Sequence, residues 1–216
     1  MTISIHQPAY LPWMGYFDKI AQSDVFVFLD TVQYEKNSFI NRNKIRTVDG
    51  TQWLTIPVIG KDHLSHSLKD TLIDSQQNWR IKHERSIIQW YSKCPDFDSK
   101  MPILRSELYR DDVFLADYCY SQLLFWLKQL GIDTKIIRSS ALQIAGNKSD
   151  LVLEICKTLS ATTYISGSLG RGYLVEDDFS SVGIQVIYQD YVQPSYKQRW
   201  DGFIPNISVV DLWMNT

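Results

Sequence analysis

Short apolar runs alternate along the chain with longer segments whose apolar residues recur at helical spacing. The apolar runs, which predict buried strands, lie at residues 2–6, 25–29, 134–137, 162–165 and 184–188. The helical segments between them lie at residues 14–22, 149–159 and 176–181. Strands that alternate with helices of this length predict an α/β fold, with a mainly parallel, Rossmann-like sheet flanked by helices.

Two segments depart from this alternation. Residues 37–47 and 51–58 predict a basic hairpin with a turn at Asp49-Gly50, because this dipeptide tolerates positive φ. From residue 77 to 131 the apolar spacing is helical, and we expect these helices to form an insertion or cap in the middle of the chain. One face of the first helix carries Trp79, His83, Ile87 and Tyr91.

We expect the whole chain, residues 1–216, to form a single α/β domain, because no repeat or linker-like segment divides it. Its predicted parts are an N-terminal α/β unit with the hairpin at 1–76, the helical insertion at 77–131 and a C-terminal α/β unit at 132–216. A cap over the strand ends would create a cleft.

Composition narrows the classes of partner and compartment. A net charge of −2 and a pI near 6.1 give no bulk attraction to nucleic acid, so binding there would need a local basic patch. Three widely spaced cysteines, Cys94, Cys119 and Cys156, indicate reduced thiols. No segment approaches the length of a membrane span and the N-terminus lacks signal-peptide features, so we expect a cytoplasmic protein.

Polar residues follow each predicted strand of the sheet at its carboxyl end. They are His6, Asp30, Ser139 with Ser140, Ser166 with Gly167, and Asp190. Ligands bind outside the carboxyl ends of parallel strands, because loops and helix N-termini present donors there. The sequence therefore predicts a small-molecule site at this edge of the sheet.

His6 and Asp30 are the candidate catalytic residues. His6 could act as a general acid or base, or it could only fix its loop through a backbone hydrogen bond. Asp30 could orient a sugar hydroxyl, an amine or the base, or it could be a satisfied strand-end carboxylate paired with Arg42 or Arg46.

Several further segments offer binding groups. Gln33 and Tyr34 continue the loop after Asp30 and could contact a polar ligand. The donor-rich run of Asn41, Arg42, Asn43, Lys44 and Arg46 suits an anion, although a solvated basic hairpin has the same composition. The glycine-rich stretch that includes Ser166, Gly167, Gly170, Arg171 and Gly172 could present free backbone N–H groups to an anion.

Other chemistries lack their motifs. His63 and His66 have no third ligand at a convincing spacing, so no metal site is predicted. The chain has no GxSxG motif, its cysteines have no evident activating partner, and no motif identifies a cofactor.

The stretch HQPAYLPWMGYFDKIAQSDVFVFLDTVQYEKNSFINRNKIRT, followed by WLTIPV, resembles the opening of the WbqC-like family. YISGSLGRGYL and SYKQRWDGFIPNISVVDLW resemble its later blocks. Members are bacterial and archaeal proteins often encoded in surface-polysaccharide or O-antigen loci. The resemblance implies polar motif positions at His6, Gln7, Tyr10, Lys19, Asp30, Gln33, Asn41, Arg42, Asn43, Arg46, Ser166, Tyr173, Tyr196, Gln198, Ser208 and Asp211.

The resemblance and the strand-end residues together lead to one main hypothesis of function. It is an enzyme of lipopolysaccharide or O-antigen biosynthesis that modifies an amino sugar or nucleotide sugar, by N-acyl or aminoacyl transfer from an acyl donor. In this hypothesis His6 accepts the amine proton, Asp30 orients the base or the amine, and Arg42 and Arg46 bind phosphate. The alternatives are a non-catalytic nucleotide-sugar-binding protein and a nucleotidyltransferase-like enzyme.

Overall fold

The computed structural model describes residues 1–60 and 67–216, which form two compact units. The sheet unit comprises Met1–Pro8, Gly15–Val32 and Leu127–Val192. The hairpin unit comprises Ala9–Met14, Gln33–Trp126 and Gln193–Thr216. His63 and His66 lie outside the described residues.

The described residues form the following strands and helices. The strands are β1 (Thr2–His6), β2 (Val25–Phe28), β3 (Arg42–Thr47), β4 (Gly50–Thr55), β5 (Lys135–Arg138), β6 (Thr163–Ser166) and β7 (Gln185–Tyr188). The helices are α1 (Met14–Ala21), α2 (Trp79–Tyr91), α3 (Phe97–Leu108), α4 (Leu115–Leu130), α5 (Lys148–Thr158), α6 (Glu176–Ser181) and α7 (Val209–Asn215).

The sheet unit is built on a five-stranded parallel sheet in the order β5-β2-β1-β6-β7. The chain therefore adds strands outward on one side of β1 and then returns to add strands on its other side, as in a doubly wound Rossmann sheet. The predicted fold class, a mainly parallel α/β sheet, is confirmed.

Apolar side chains of the strands and helices form the core of the sheet unit. All four residues of β2 are buried, as expected for a strand covered on both faces. The ring of Tyr164 on β6 stacks on Phe179 of α6, and Ile155 of α5 joins the same core. Just after α1, Ser23 Oγ lies 2.9 Å from the carbonyl of Lys19, to which it donates, and 2.7 Å from Ser4 Oγ, so the buried hydroxyl of Ser4 on β1 has a hydrogen-bond partner.

The hairpin unit contains the predicted hairpin, formed by β3 and β4 as an antiparallel pair. The turn residues are Val48 and Asp49, and Gly50 begins β4 with a φ of 140°, a conformation that favours glycine. The hairpin strands are shorter than predicted. The helical region contains α2, α3 and α4, and the predicted face of α2 is buried.

The three cysteines are buried free thiols. Cys156 lies in the sheet unit, and Cys94 and Cys119 lie in the hairpin unit. Among the helices of residues 1–60 and 67–216, none has both the length and the apolar character that crossing a bilayer requires.

Candidate functional site

The strand order of the sheet unit creates a switch point between β1 and β6. These two strands are parallel neighbours, with Ser4 opposite Ile165, and the connections from them lead to opposite halves of the sheet. Such a divergence leaves a crevice at the carboxyl ends of the two strands, which is the usual ligand position in this class of sheet. His6 ends β1 and Ser166 ends β6.

His6 is held in one orientation at the end of β1. Its Nδ1 lies 2.9 Å from the carbonyl of Gln7, and its ring packs edge-on against Tyr16 at 4.8 Å between centroids. Because a carbonyl can only accept, Nδ1 carries the proton and Nε2 is the acceptor nitrogen of the ring. Burial, together with the charge of Lys19, lowers the pKa of His6 to about 3, so the imidazole is neutral at pH 7.

Lys19 brings an amine to the same crevice from α1. Its side chain is buried, and Nζ donates to the carbonyl of Ile5 at 3.1 Å. Burial lowers the pKa of this amine to about 7. A Cβ built on Gly167 would lie 4.0 Å from Nζ and would meet no other atom of the described residues within 4 Å, so the glycine after β6 lies directly beside the amine.

The glycine-rich loop after β6 uses part of its backbone N–H groups within its own turn. Residues Ser168–Gly172 form a short 3₁₀ turn, and three backbone N–H groups of this stretch donate to carbonyls of the stretch itself. These are the N–H groups of Gly170, Tyr173 and Leu174. They are committed to the turn, so they do not form a set of donors for a ligand. Tyr173 is 41% exposed.

The position of the Ser166 side chain requires a glycine at position 170. Ser166 Oγ donates to the carbonyl of Gly167 at 3.1 Å, and a Cβ on Gly170 would overlap this hydroxyl and approach Leu174 Cδ1 to 3.0 Å. We expect Gly170→Ala to displace Ser166 and to lower the free energy of unfolding by about 1–3 kcal/mol. Gly172→Ala is the matched control, since a Cβ there meets nothing within 4 Å. Equal stability of both variants by urea denaturation would contradict this role.

Asp30 is a saturated carboxylate between the ends of β2 and β5. It is fully buried and accepts hydrogen bonds from Arg138 Nε at 2.7 Å and from Ser139 Oγ, Ser140 N and Ser140 Oγ, each at 2.9 Å. Burial alone would raise its pKa, but these donors hold the pKa below its ordinary value. The partner is therefore Arg138, in contrast to the pairing with Arg42 or Arg46 considered from the sequence.

The donor-rich run on the hairpin does not converge on an anion site. Asn41 Nδ2 donates to the carbonyl of Ile56 and Asn43 Nδ2 to that of Leu11, both at 2.7 Å. The Arg46 guanidinium donates to four carbonyls. They are those of Thr47, Gly50, Asp201 and Gly202. These donors fix backbone segments within the hairpin unit.

Arg42 also bonds within the hairpin unit. Its guanidinium donates to Asn37 and lies 4.4 Å from the ring centroid of Trp53. A cation above an indole ring is an attractive arrangement that needs no ligand.

The remaining candidates in the hairpin unit have partners of their own. The hydroxyl of buried Tyr10 lies 2.9 Å from His83 Nδ1. Gln33 pairs with Ser67 in an isolated bridge, and Tyr34 is buried, which raises its pKa. None of these residues belongs to the sheet unit.

A buried polar cluster ties the C-terminal segment of the hairpin unit together. Asp211, fully buried, accepts hydrogen bonds from Tyr196 at 2.6 Å, Tyr91 at 2.8 Å and Gln198 at 2.9 Å. Burial raises the pKa of this carboxyl, and the hydrogen bonds oppose that effect. Tyr196 and Gln198, two of the motif positions that the family resemblance implies, are thus engaged with Asp211.

Two functional neighbours at the sheet edge were missed. Arg138 ends β5, and Gln189 follows β7, where its Nε2 donates to the carbonyl of Gly15 at 2.8 Å and to Asp18 Oδ2 at 2.6 Å. Both obey the strand-end rule that selected His6, but at these two strands the rule was applied to the adjacent residues Ser139, Ser140 and Asp190 instead.

The structure thus separates the predicted site residues into two groups. Those that meet in the sheet unit, at the ends of β1 and β6, are His6, Gln7, Lys19, Ser166 and Gly167. Tyr173 and Asp30 also belong to this unit, and the other candidates lie in the hairpin unit. In residues 1–60 and 67–216, no three His, Cys, Asp or Glu side chains are grouped so that they could hold a metal ion.

Comparison with known proteins gives the family of the chain. The sequence profile of the WbqC-like protein family matches residues 7–216. A relative, the uncharacterized protein Rv1507c of Mycobacterium tuberculosis, is 35% identical over 218 aligned positions, which cover 99% of this chain and 93% of the relative. No solved structure matches the chain. The chain belongs to the WbqC-like protein family.

Proposed function

We propose that this protein is an enzyme of surface-polysaccharide or O-antigen biosynthesis that transfers an acyl or aminoacyl group to the amine of an amino sugar, carried as a nucleotide sugar. The observation that supports it best is the pairing of a neutral imidazole with a buried amine at the switch point of a Rossmann-type sheet. The genomic setting of many WbqC-like genes supports the substrate class.

The transfer requires a proton acceptor beside the sugar amine. The amine nitrogen attacks the acyl carbonyl of an activated donor, a C–N bond forms, the bond to the leaving group breaks, and the nitrogen loses a proton. In the proposal, that proton passes to Nε2 of His6, because Nδ1 is committed to the Gln7 carbonyl. A bound anionic substrate would raise the pKa of His6 above its value in the empty protein, which makes it a better base.

The roles of Asp30 and of the two hairpin arginines in this proposal differ from those expected from the sequence. Asp30 becomes a positioning residue, since its four hydrogen bonds fix the ends of β2 and β5. Arg46 is not assigned to phosphate, because its Nη1 and Nη2 groups are bonded to backbone carbonyls, and Arg42 lies with it in the hairpin unit.

We expect His6→Ala to lower the rate of transfer by about 10²- to 10⁴-fold, the usual contribution of a general base. His6→Asn is the sharper variant, because an amide N–H can still donate to the Gln7 carbonyl while the side chain has no basic nitrogen. Mass spectrometry of the acylated sugar, after incubation of nucleotide-linked amino sugars with acyl-CoA and aminoacyl donors, provides the measurement. A rate unchanged in both variants would remove His6 as the base.

A non-catalytic nucleotide-sugar-binding protein is the second candidate. The pKa of about 3 for His6 favours this candidate, because an imidazole with so low a pKa is a weak general base. Calorimetry with nucleotide sugars, combined with the same search for product, separates the two functions. Binding without conversion for any donor would support the second candidate.

A nucleotidyltransferase-like enzyme is the third. The strand order of the sheet unit is compatible with nucleotide binding. However, α1 begins at Met14 directly after Trp13, where that class of enzyme carries histidines. Binding of ATP or CTP by calorimetry would favour it.

A further inference from the structure

Among the residues that the structure describes, Lys19 is a buried amine without an acidic partner. Its side chain is 2% exposed, and the hydrogen bond that the structure gives to Nζ is the one to the carbonyl of Ile5. No carboxylate within the described ranges, 1–60 and 67–216, lies at ion-pair distance from it. A carbonyl offers one neutral acceptor, whereas an ammonium group has three N–H donors and a full charge.

The groups around the amine do not neutralise it. His6 on β1 is uncharged at pH 7, and Gly167 after β6 has no side chain. The acidic residue next to Lys19 on α1 is Asp18, whose carboxylate accepts from Gln22 at 2.7 Å and from Gln189 at 2.6 Å. An ammonium ion in such surroundings carries a large desolvation cost that a fixed counter-charge would offset.

The position of the amine indicates where that counter-charge comes from. Nζ lies beside the last peptide groups of β1 and next to Gly167, so it lies at the switch point where doubly wound sheets receive ligands. The glycine leaves space on the side of β6. An anion entering from the carboxyl end of the sheet would therefore meet a positive group that has no competing acid.

We propose that Lys19 is the cationic group of an anion subsite between the ends of β1 and β6, and that this subsite takes a phosphoryl oxygen of the substrate's diphosphate. The inference rests on the proposed function, which supplies a nucleotide sugar as ligand, and assigns the diphosphate to one residue. It also replaces the hairpin arginines as the phosphate-binding groups of the molecule.

Binding of the anion is linked to a proton. The amine of the empty protein has a pKa lowered to about 7 by burial, and a phosphoryl group beside it favours the charged form and raises that pKa. Between these two pKa values the complex holds a proton that the empty protein lacks. Affinity is therefore constant below about pH 7 and falls up to about tenfold per pH unit above it. His6, with a pKa of about 3, stays neutral throughout this window.

The test uses the full chain labelled with ¹³C at lysine Cε, whose chemical shift follows the protonation of each amine by NMR. The probe is inorganic pyrophosphate, which presents the diphosphate without a base or sugar. In the empty protein we expect one resonance that titrates near pH 7, and with pyrophosphate the same resonance should titrate at roughly pH 9 or above. The resonance of exposed Lys157 serves as the internal control, because pyrophosphate should leave it unchanged.

Two variants complete the experiment. Lys19→Met should remove the anomalous resonance and weaken pyrophosphate binding about tenfold or more, whereas Lys157→Met should bind as the wild type does. If Lys19→Met does not fold, the titration of the wild-type protein still decides. An anomalous resonance that pyrophosphate leaves unchanged, or tight pyrophosphate binding by folded Lys19→Met, would overturn the inference. Turnover that depends on His6 would still support the proposed function in that case, so the two can fail separately.

Discussion

Replacing Asp30 with alanine is expected to lower the free energy of unfolding by about 3 kcal/mol, because it removes a buried carboxylate that accepts four hydrogen bonds, one of them from the partly exposed Arg138. The change would leave the Arg138 guanidinium without its carboxylate and would remove the acceptor of Ser139 Oγ and of both donors of Ser140. Since these groups join the ends of β2 and β5, the sheet should loosen there, next to β1, whose end borders the proposed ligand site. Urea denaturation followed by circular dichroism gives the change.

Asp133→Ala is the matched control for this prediction, because Asp133 is an exposed aspartate of the same unit. We expect its effect to stay within about 0.5 kcal/mol. Asp30→Asn keeps the volume but not the charge, and should fall between the two. If Asp30→Ala unfolded with the wild-type free energy while losing all transfer activity, Asp30 would have a direct role in the reaction and its assignment as a positioning residue would be wrong.

Asp211→Ala is expected to destabilise the hairpin unit by about 3 kcal/mol. Tyr91, Tyr196 and Gln198 would each lose a buried acceptor, and a buried donor left without a partner costs about 1–3 kcal/mol. Asp201→Ala is the control in the same C-terminal segment, since that side chain is exposed. An equal effect of the two substitutions in thermal and urea denaturation would contradict the importance of the cluster.

The same carboxyl gives a pH dependence with a defined sign. Burial raises the pKa of Asp211 above its ordinary value of 3.8, so the folded protein binds the proton more tightly than the unfolded chain does. The contribution of this group to stability is therefore present below pH 3.8 and is lost as the pH rises through the pKa in the folded state. Relative to Asp211→Asn, the wild type should lose stability over that window, and a difference that stays constant with pH would contradict the shift.

The strands and helices of the sheet unit could be predicted from the sequence because the patterns that define them lie within single short segments. β1 and β2 are short apolar runs bounded by polar residues, and the helices between strands have the spacing of amphipathic segments. The ends of elements were predicted less well. β3 begins at Arg42, five residues after its predicted start, and β4 ends at Thr55, three residues before its predicted end, whereas the ends at the turn agree within one residue.

The site could be predicted only where strand ends define it. His6 and Ser166 follow from the strand-end rule, and the structure places them on the adjacent strands β1 and β6. The partners of the polar groups could not be predicted, because they are distant in sequence. Arg138 is 108 residues from Asp30, and the carbonyl of Asp201 is 155 residues from Arg46. The donor-rich run on the hairpin therefore resembled an anion site in the sequence, although in the structure many of its donors bond to backbone carbonyls.

The buried cysteines allow local unfolding of each unit to be measured separately. Cys119 and Cys156 lie in different units, and burial raises the pKa of both thiols, that of Cys156 to about 12. Alkylating reagents attack the thiolate, so each cysteine becomes reactive only when its surroundings open. The rate of iodoacetamide modification at each position, followed by mass spectrometry of peptides, thus reports the breathing of the sheet unit and of the hairpin unit independently, without any introduced label.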